Sequence, residues 1–147
     1  MRLRSFRPAD LQTLYEIDQA CFAPGISYTR EELAAFIGRR GSQTWVAEEA
    51  GEIVGFVIAQ REPRKILHLV TIDVLKAWRR RGVGSLLMEA AEQWARDQKL
   101  RMIGLETAWD NLPAQRFYRL RGYRKVSEIE RYYSDGSAAW VMVKELA

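Results

Sequence analysis

The stretch from Leu67 to Thr107 constrains this chain more than any other. An apolar, β-branched run from Leu67 to Leu75 leads through Lys76-Ala77-Trp78-Arg79-Arg80-Arg81 into Gly82-Val83-Gly84-Ser85. From there Val83, Leu86, Leu87, Ala90, Ala91 and Trp94 recur on one side of a helix that ends near Gln98, and Met102 to Thr107 reads as the next strand. A strand, helix and strand of these lengths require a parallel crossover, so the sheet must contain a parallel pair. The helix start leaves several N–H groups without partners and carries partial positive charge, which attracts phosphate. Glycines at 82 and 84 remove the Cβ atoms that would keep a ligand away, and three arginines supply planar donors. A pyrophosphate is the expected occupant, against the plainer reading of a solvated arginine cluster at a glycine-softened helix start.

Two known phosphate loops do not fit. A Walker loop needs Lys-Ser or Lys-Thr where Gly84 is followed by Ser85-Leu86-Leu87. A dinucleotide fingerprint fits better, with Glu106 near the position of a ribose-binding acid, but Leu87 stands where its third small residue belongs. Arg79-Arg80-Arg81-Gly82-Val83-Gly84 instead resembles the acetyl-CoA pyrophosphate loop of the GNAT acetyltransferases, Gln/Arg-x-x-Gly-x-Gly/Ala. Leu105 to Tyr123 is similar to a second GNAT pattern, in which a strand ends in Glu (Glu106), an Asn opens the next helix (Asn111), Ala114 lies three positions on, and Tyr118 precedes a Gly-aromatic pair (Gly122-Tyr123). Both stand in the family's order, and with the surrounding elements the match covers almost the whole chain.

Within that superfamily the chain resembles the protein Nα-acetyltransferases, particularly the bacterial ribosomal-protein-alanine type and its archaeal relatives. The residues that carry this are Leu105-Glu106, Arg131 to Gly136 with Ala138 and Met142, and Ala20-Cys21-Phe22-Ala23-Pro24. Lys76 stands where the family usually has proline, and Gly25-Ile26 where that type often has Trp-Ser. The resemblance implies a single domain over residues 1–147, a GNAT-like α/β fold with a mixed, mostly antiparallel sheet of about seven strands, a central parallel crossover and about four helices, and acetyl-CoA as cosubstrate.

The rest of the chain agrees. Arg2 to Phe6 reads as a short strand, and Asp10 as the cap of a helix with Leu11, Leu14, Ile17, Cys21 and Phe22 on its apolar side. Thr29 and Glu32 form a capping box for a second helix running to about Arg39. Thr44 to Glu48 and Glu52 to Ala59 read as a hairpin turning at Ala50-Gly51. Asn111 is the expected N-cap and Gly122 the C′ residue of the helix after Glu106. Two last strands, Tyr123 to Ser134 and Ser137 to Leu146, are expected to meet at Asp135-Gly136.

Composition narrows the function classes. With 48% hydrophobic residues the chain can build a core, yet it has no apolar run near about eighteen residues, so no membrane span is expected. Met1 to Arg7 lacks a following apolar segment and is not read as a secretory signal, and the one cysteine, Cys21, suits a reducing cytoplasm. The net charge of +4 would suit nucleic acid, but the basic residues concentrate at one turn, which favours a phosphate-bearing cofactor and leaves a ribosomal or basic-protein partner open. One histidine and one distant cysteine make no metal set.

Acetyl transfer needs a neutral amine, a polarised thioester and a proton for the departing thiolate. Glu106 is the candidate base, acting through a water as the resemblance implies, or else a surface carboxylate paired with an arginine. Tyr118 is the candidate acid, or else a packed aromatic. Backbone groups of Ile72, Asp73 and Val74 are expected to receive pantetheine, with the Val74 N–H on the thioester oxygen. Arg79 to Ser85 are expected to hold the phosphates, and Asn111 to reach the pantetheine arm or merely cap its helix. Tyr28, Tyr132 and Tyr133 are candidates to line the acceptor groove. His68 is expected to be packed or hydrogen-bonded and outside the active site, and Trp45, Trp78, Trp94, Trp109 and Trp140 to serve packing. The leading expectation is transfer to a protein N-terminus. A small-molecule amine acceptor and a non-enzymatic acetyl-CoA- or RNA-binding module are the alternatives.

Overall fold

In a computed structural model describing residues 1–146, seven strands form one sheet in the order β1-β2-β3-β4-β5-β7-β6. The strands are β1 (Arg2–Ser5), β2 (Ser42–Glu49), β3 (Glu52–Glu62), β4 (Ile66–Val74), β5 (Met102–Ala108), β6 (Arg124–Ile129) and β7 (Ala139–Glu145). The helices are α1 (Leu11–Cys21), α2 (Arg30–Gly38), α3 (Val83–Asp97) and α4 (Leu112–Leu120). Among the described residues only β4 and β5 pair in parallel, as the crossover through α3 demands. Every other neighbouring pair is antiparallel.

Strand alternation sends apolar side chains to both faces, and each face is covered. Val57, Ala59, Leu67, Leu69, Ile103, Leu105 and Met142 pack with Val83, Leu87, Met88, Ala91 and Ala95 of α3 and with Tyr118 of α4. Val46, Phe56, Ile58 and Val70 meet Leu14 and Ile17 of α1 and Leu33 of α2 on the other face. Glu92 sits among the buried residues of α3, where Tyr123 Oη donates to it at 3.0 Å, Lys144 Nζ at 3.1 Å and Arg121 at 3.5 Å. These three donors satisfy a carboxylate that would otherwise be costly to bury, and they pin α3 to β7.

One irregularity decides the shape of the site. Ile58 pairs with Thr71 and Ala59 with Leu69, so Val70 is an extra residue in β4, a β-bulge. The bulge rephases the strand. Thr71 and Asp73 come to lie opposite Ile58 and Phe56, on the α1 face, while Ile72 and Val74 pack toward α3. Pairing of β4 with β5 also stops at Leu69–Leu105, just before the bulge, whereas β5 stays paired with β7 to Ala108. A wedge therefore opens between Thr71–Val74 and Glu106–Ala108.

Three expectations are corrected. Asp10 does not cap α1 with its side chain; its carboxylate accepts the Arg7 N–H at 2.7 Å and two bonds from Arg4 at 2.8 and 3.0 Å, closing a 3-10 turn before the helix. Asp135-Gly136 is not a two-residue hairpin turn, because β6 ends at Ile129 and β7 starts at Ala139. Asp135 instead accepts from the Ser137 N–H and hydroxyl inside that long loop, at 2.9 and 2.6 Å. Trp109 is 54% exposed rather than packed, while Trp78 stacks under Arg81 and Trp140 under Lys125. The capping box of Thr29 and Glu32 and the positive φ of Gly122 at the end of α4 are as expected.

Gly55 of β3 lies where α3 packs tightly on the sheet. A Cβ there would lie 2.8 Å from the Asp73 carbonyl oxygen, 3.2 Å from Val83 and 3.3 Å from Leu87. Urea unfolding of Gly55→Ala is expected to show a loss of about 1–3 kcal/mol. Gly38→Ala, at a helical position with nothing within 4 Å, is expected to gain about 0.5–1 kcal/mol.

Candidate active site

The phosphate end is built at the start of α3. Gly82 is its N-cap residue with φ 82°, a conformation that favours glycine, and it provides no side-chain cap. The first intrahelical bond runs from the Leu86 N–H to the Gly82 carbonyl at 3.0 Å, so the N–H groups of Val83, Gly84 and Ser85 have no partner within the helix. A Cβ on Gly82 would meet nothing within 4 Å, leaving the approach open. Gly84 is small for a second reason. Its Cβ would lie 3.2 Å from the ring of Phe117, so packing of α4 on α3 already requires it.

The arginines divide their work. Arg79 Nε donates to the Val74 carbonyl at 3.0 Å and Arg81 stacks on Trp78 at 5.1 Å. Arg80 makes no ion pair or side-chain hydrogen bond with a described residue, and its backbone holds φ 62°, an uncommon conformation for a non-glycine residue. An uncapped helix start, an open glycine and one uncommitted guanidinium suit the diphosphate of acetyl-CoA.

The wedge suits the pantetheine arm. The Leu75 N–H bonds to the Val54 carbonyl at 3.0 Å, toward β3, so by alternation the polar groups of Ile72 and Val74 face the opening. Asp73 is a correction: its side chain is buried on the α1 face, hydrogen-bonded by Thr71, and by the same alternation its backbone polar groups turn to Phe56 of β3, so it offers the wedge no free group. Asn111 caps α4, accepting the Ala114 N–H at 3.2 Å.

The candidate acid and base lie on opposite faces of the sheet, on either side of the wedge. Tyr118 is 7% exposed within the α3/α4 core, and its hydroxyl makes no hydrogen bond with a described residue. Burial, reinforced by Asp73 and Tyr133, pushes the phenol above its ordinary value, which keeps it protonated. Glu106 alternates with Ile103 and Leu105 and so faces the α1 side. Its Oε1 meets His68 Nε2 at 2.7 Å and accepts from Tyr132 Oη at 3.0 Å. Oε2 makes no hydrogen bond with a described residue and is the free oxygen. Burial favours the neutral acid, but the bonds from His68 and Tyr132 outweigh it and hold the carboxyl below its ordinary value of 4.5.

His68 is therefore a correction: it stands in the candidate site and not outside it. It lies opposite Gly104, two residues before Glu106 on the same face, and its Nε2 reaches Glu106 Oε1 along the sheet. The signal is the register of β4 on β5, which no local pattern contains.

Over Glu106 the two long loops clasp. The Ser134 N–H and hydroxyl both donate to the Gly25 carbonyl, at 3.1 and 2.8 Å. Tyr132 and Tyr133 stand edge to face at 4.9 Å, and Tyr28 is fixed against Phe36 at 5.2 Å. Burial raises the Tyr28 and Tyr132 hydroxyls, and Tyr133 to about 12, so this wall is neutral. The three tyrosines stand around Glu106, Tyr132 by a direct hydrogen bond and Tyr28 and Tyr133 near enough to feel its charge.

Comparison with known proteins places these features. The model of the Acetyltransferase (GNAT) family matches residues 11–123. An N-alpha-acetyltransferase of Sulfurisphaera tokodaii is 28% identical over 99% of this chain and 93% of its own length. The crystal structure of Ard1 from Thermoplasma volcanium superposes with a TM-score of 0.89 at 29% identity, covering 99% of this chain and 97% of that one. The ribosomal-protein-S18-alanine N-acetyltransferase of Escherichia coli shares the fold, with a TM-score of 0.88 at 21% identity over 99% of this chain and 94% of that one.

His68 is the chain's one histidine, so its proton resonances are unambiguous. Burial lowers its pKa, and the stronger combined pull of Glu106 raises it above 6.5. The stability this pair contributes is complete below the unfolded value of 6.5 and is lost as pH rises through the folded value; on the acid side it is lost as Glu106 protonates below 4.5. NMR titration is expected to give a midpoint above 6.5 in the wild type and below 6.5 in Glu106→Gln, where burial, the largest influence, and Arg39 are opposed only by Glu62.

Proposed function

Because this chain belongs to the GNAT acetyltransferase family and moves an acetyl group from acetyl-CoA to an amine, we propose that its acceptor is the α-amine of a protein N-terminus. Glu106 is the base and Tyr118 the acid in this reading. The observation that carries it is the hold of His68 and Tyr132 on Glu106 Oε1, which keeps the carboxylate ionised and makes it a weak base. A weak base serves only an amine that gives up its proton readily. An α-amine costs about 1 kcal/mol to deprotonate at neutral pH, and a lysine side chain about 4.5 kcal/mol. The N-alpha-acetyltransferase that this chain matches along almost its whole length supports the same acceptor class.

The steps follow from the positions of the groups. The acceptor enters on the α1 face beneath Tyr28, Tyr132 and Tyr133, and gives its proton through a water to Glu106 Oε2. Its nitrogen attacks the thioester carbon in the wedge, where the Val74 N–H faces the developing oxyanion. The C–S bond breaks, the phenol of Tyr118 gives its proton to the departing sulfur from the α3 face, and the nitrogen sheds its second proton as the amide forms, which restores the phenol through solvent. Arg80 and the free N–H groups at the start of α3 hold the diphosphate, with Arg79 and Arg81 shaping the loop.

Glu106→Gln and Tyr118→Phe are each expected to lower kcat/KM by about 100- to 10,000-fold in a thiol-release assay. Arg80→Ala is expected to raise the KM for acetyl-CoA. Mass spectrometry of a peptide library incubated with acetyl-CoA is expected to place the acetyl group on α-amines. Preferential labelling of lysine side chains, or of small amines offered in competition, would overturn the acceptor assignment.

A further inference from the structure

Under the acceptor loop, away from the phosphate end, two carboxyl groups meet in the interior. Asp18 in α1 is 0% exposed and Asp73 in β4 is 1% exposed. Asp18 Oδ2 accepts the Tyr28 N–H at 2.7 Å, and Asp73 Oδ1 accepts the Thr71 hydroxyl at 2.6 Å. The remaining oxygens, Asp18 Oδ1 and Asp73 Oδ2, are buried without a donor among the described residues, and the two side chains lie within hydrogen-bond reach of each other. Two ionised carboxylates there would bury adjacent like charges. A single proton between them satisfies both orphaned oxygens.

The surroundings favour that proton. Burial first, and then the Asp18 carboxylate, push Asp73 well above its ordinary value, against the opposing pull of Thr71 and Arg79. Arg79 is the cation acting on Asp73, and it is already bonded to the Val74 carbonyl. The other titratable neighbours are the Cys21 thiol at the end of α1, the Tyr28 phenol on the acceptor loop and the Tyr118 phenol on α4. Glu106 and Tyr133 face Tyr28 from beyond.

We infer that Asp18 and Asp73 share one proton and act as a positioning pair, tying the loop that carries Tyr28 to the strand segment Thr71–Val74 along which the thioester lies. This rests on the reading of Tyr28 as a wall of the acceptor path. The other polar tie between α1 and this segment is a long bond from the Cys21 thiol to the Val74 carbonyl, at 3.4 Å. The pair thus sets the distance between an acceptor held on one side and an acyl carbon held on the other. Without that tie the loop carrying Tyr28 is no longer held in place, and what weakens is the grip on the acceptor peptide before transfer begins.

Infrared spectroscopy of the full chain at neutral pH tests the proton directly. The wild type is expected to show the carbonyl stretch of an un-ionised carboxyl, absent from both Asp18→Asn and Asp73→Asn. In Asp18→Asn the amide oxygen still accepts from Tyr28 and the amide nitrogen donates to an ionised Asp73, keeping the same net charge and contacts. Asp18→Ala is therefore expected to raise the acceptor-peptide KM about tenfold with kcat changed less than threefold, and Asp18→Asn to restore that KM to within threefold of wild type. A wild type without the band, a band surviving in both Asn variants, a loss confined to kcat, or failure of Asn to rescue overturns the inference. Should Asp18→Ala not fold, Thr71→Val removes a donor that favours the ionised form, and the band must persist to higher pH than in wild type; an unshifted band overturns the inference. If Tyr28→Ala leaves the peptide KM unmoved, the acceptor-path reading fails instead, and the infrared result stands apart from it.

Discussion

The site depends on the parting of β4 from β5. A sheet interior ordinarily leaves no backbone groups free, because each unpaired N–H or C=O buried away from water is costly. Here the bulge at Val70 lies just past the last paired residues, Leu69 and Leu105, and the strands diverge with Thr71–Val74 on one side and Glu106–Ala108 on the other. Both strands keep their outer partners, β3 and β7, so the opening is held from outside and does not depend on a ligand. The same extra residue turns Thr71 and Asp73 toward α1 and returns Ile72 and Val74 to the α3 core. One inserted residue thereby leaves a free strand edge on one side and turns a polar pair, Thr71 and Asp73, toward α1.

Around the wedge, charge is distributed by function. The cationic end lies at the start of α3, where free N–H groups and Arg80 face outward. The anionic end is Glu106, sheltered by a histidine and a tyrosine that both approach Oε1. Between them the titratable groups, Tyr118 above all, are held neutral by burial. A nucleotide thioester laid along the wedge would have its phosphates and its reacting carbon in environments of opposite kind. Arg79 ties the basic loop to the edge of the wedge through its bond to the Val74 carbonyl, which makes it a brace of the strand as well as a member of that loop.

Local chemistry was legible in the residues. The capping box at Thr29, the cap at Asn111 and the C′ glycine at 122 each need only a few neighbouring side chains, and each appears where the sequence put it. The parallel crossover followed from the spacing of strand, helix and strand. The misreadings arose where a distant partner competes for a local group. Asp10 is taken from its helix by Arg4 across the end of β1, and Asp135-Gly136 is drawn from the hairpin by the clasp of Ser134 on Gly25. Trp109 looked like core by type, but it stands in the exposed turn after β5.

What the sequence determined by itself is the family, the cosubstrate and the line of the chain through the phosphate loop, because those are written in contiguous residues whose caps, glycines and charges act within a turn or two. Only the tertiary structure decided who stands next to Glu106. His68, 38 residues from it in the chain, reaches it through the register of two parallel strands, and Tyr132 reaches it because a loop folds back. The buried meeting of Asp18 and Asp73 is of the same kind, since side-chain facing in β4 changes at a bulge that pairing with β3 reveals. Periodicity fixes a face only relative to its own strand, and where two faces come together is settled by packing between elements distant in the chain.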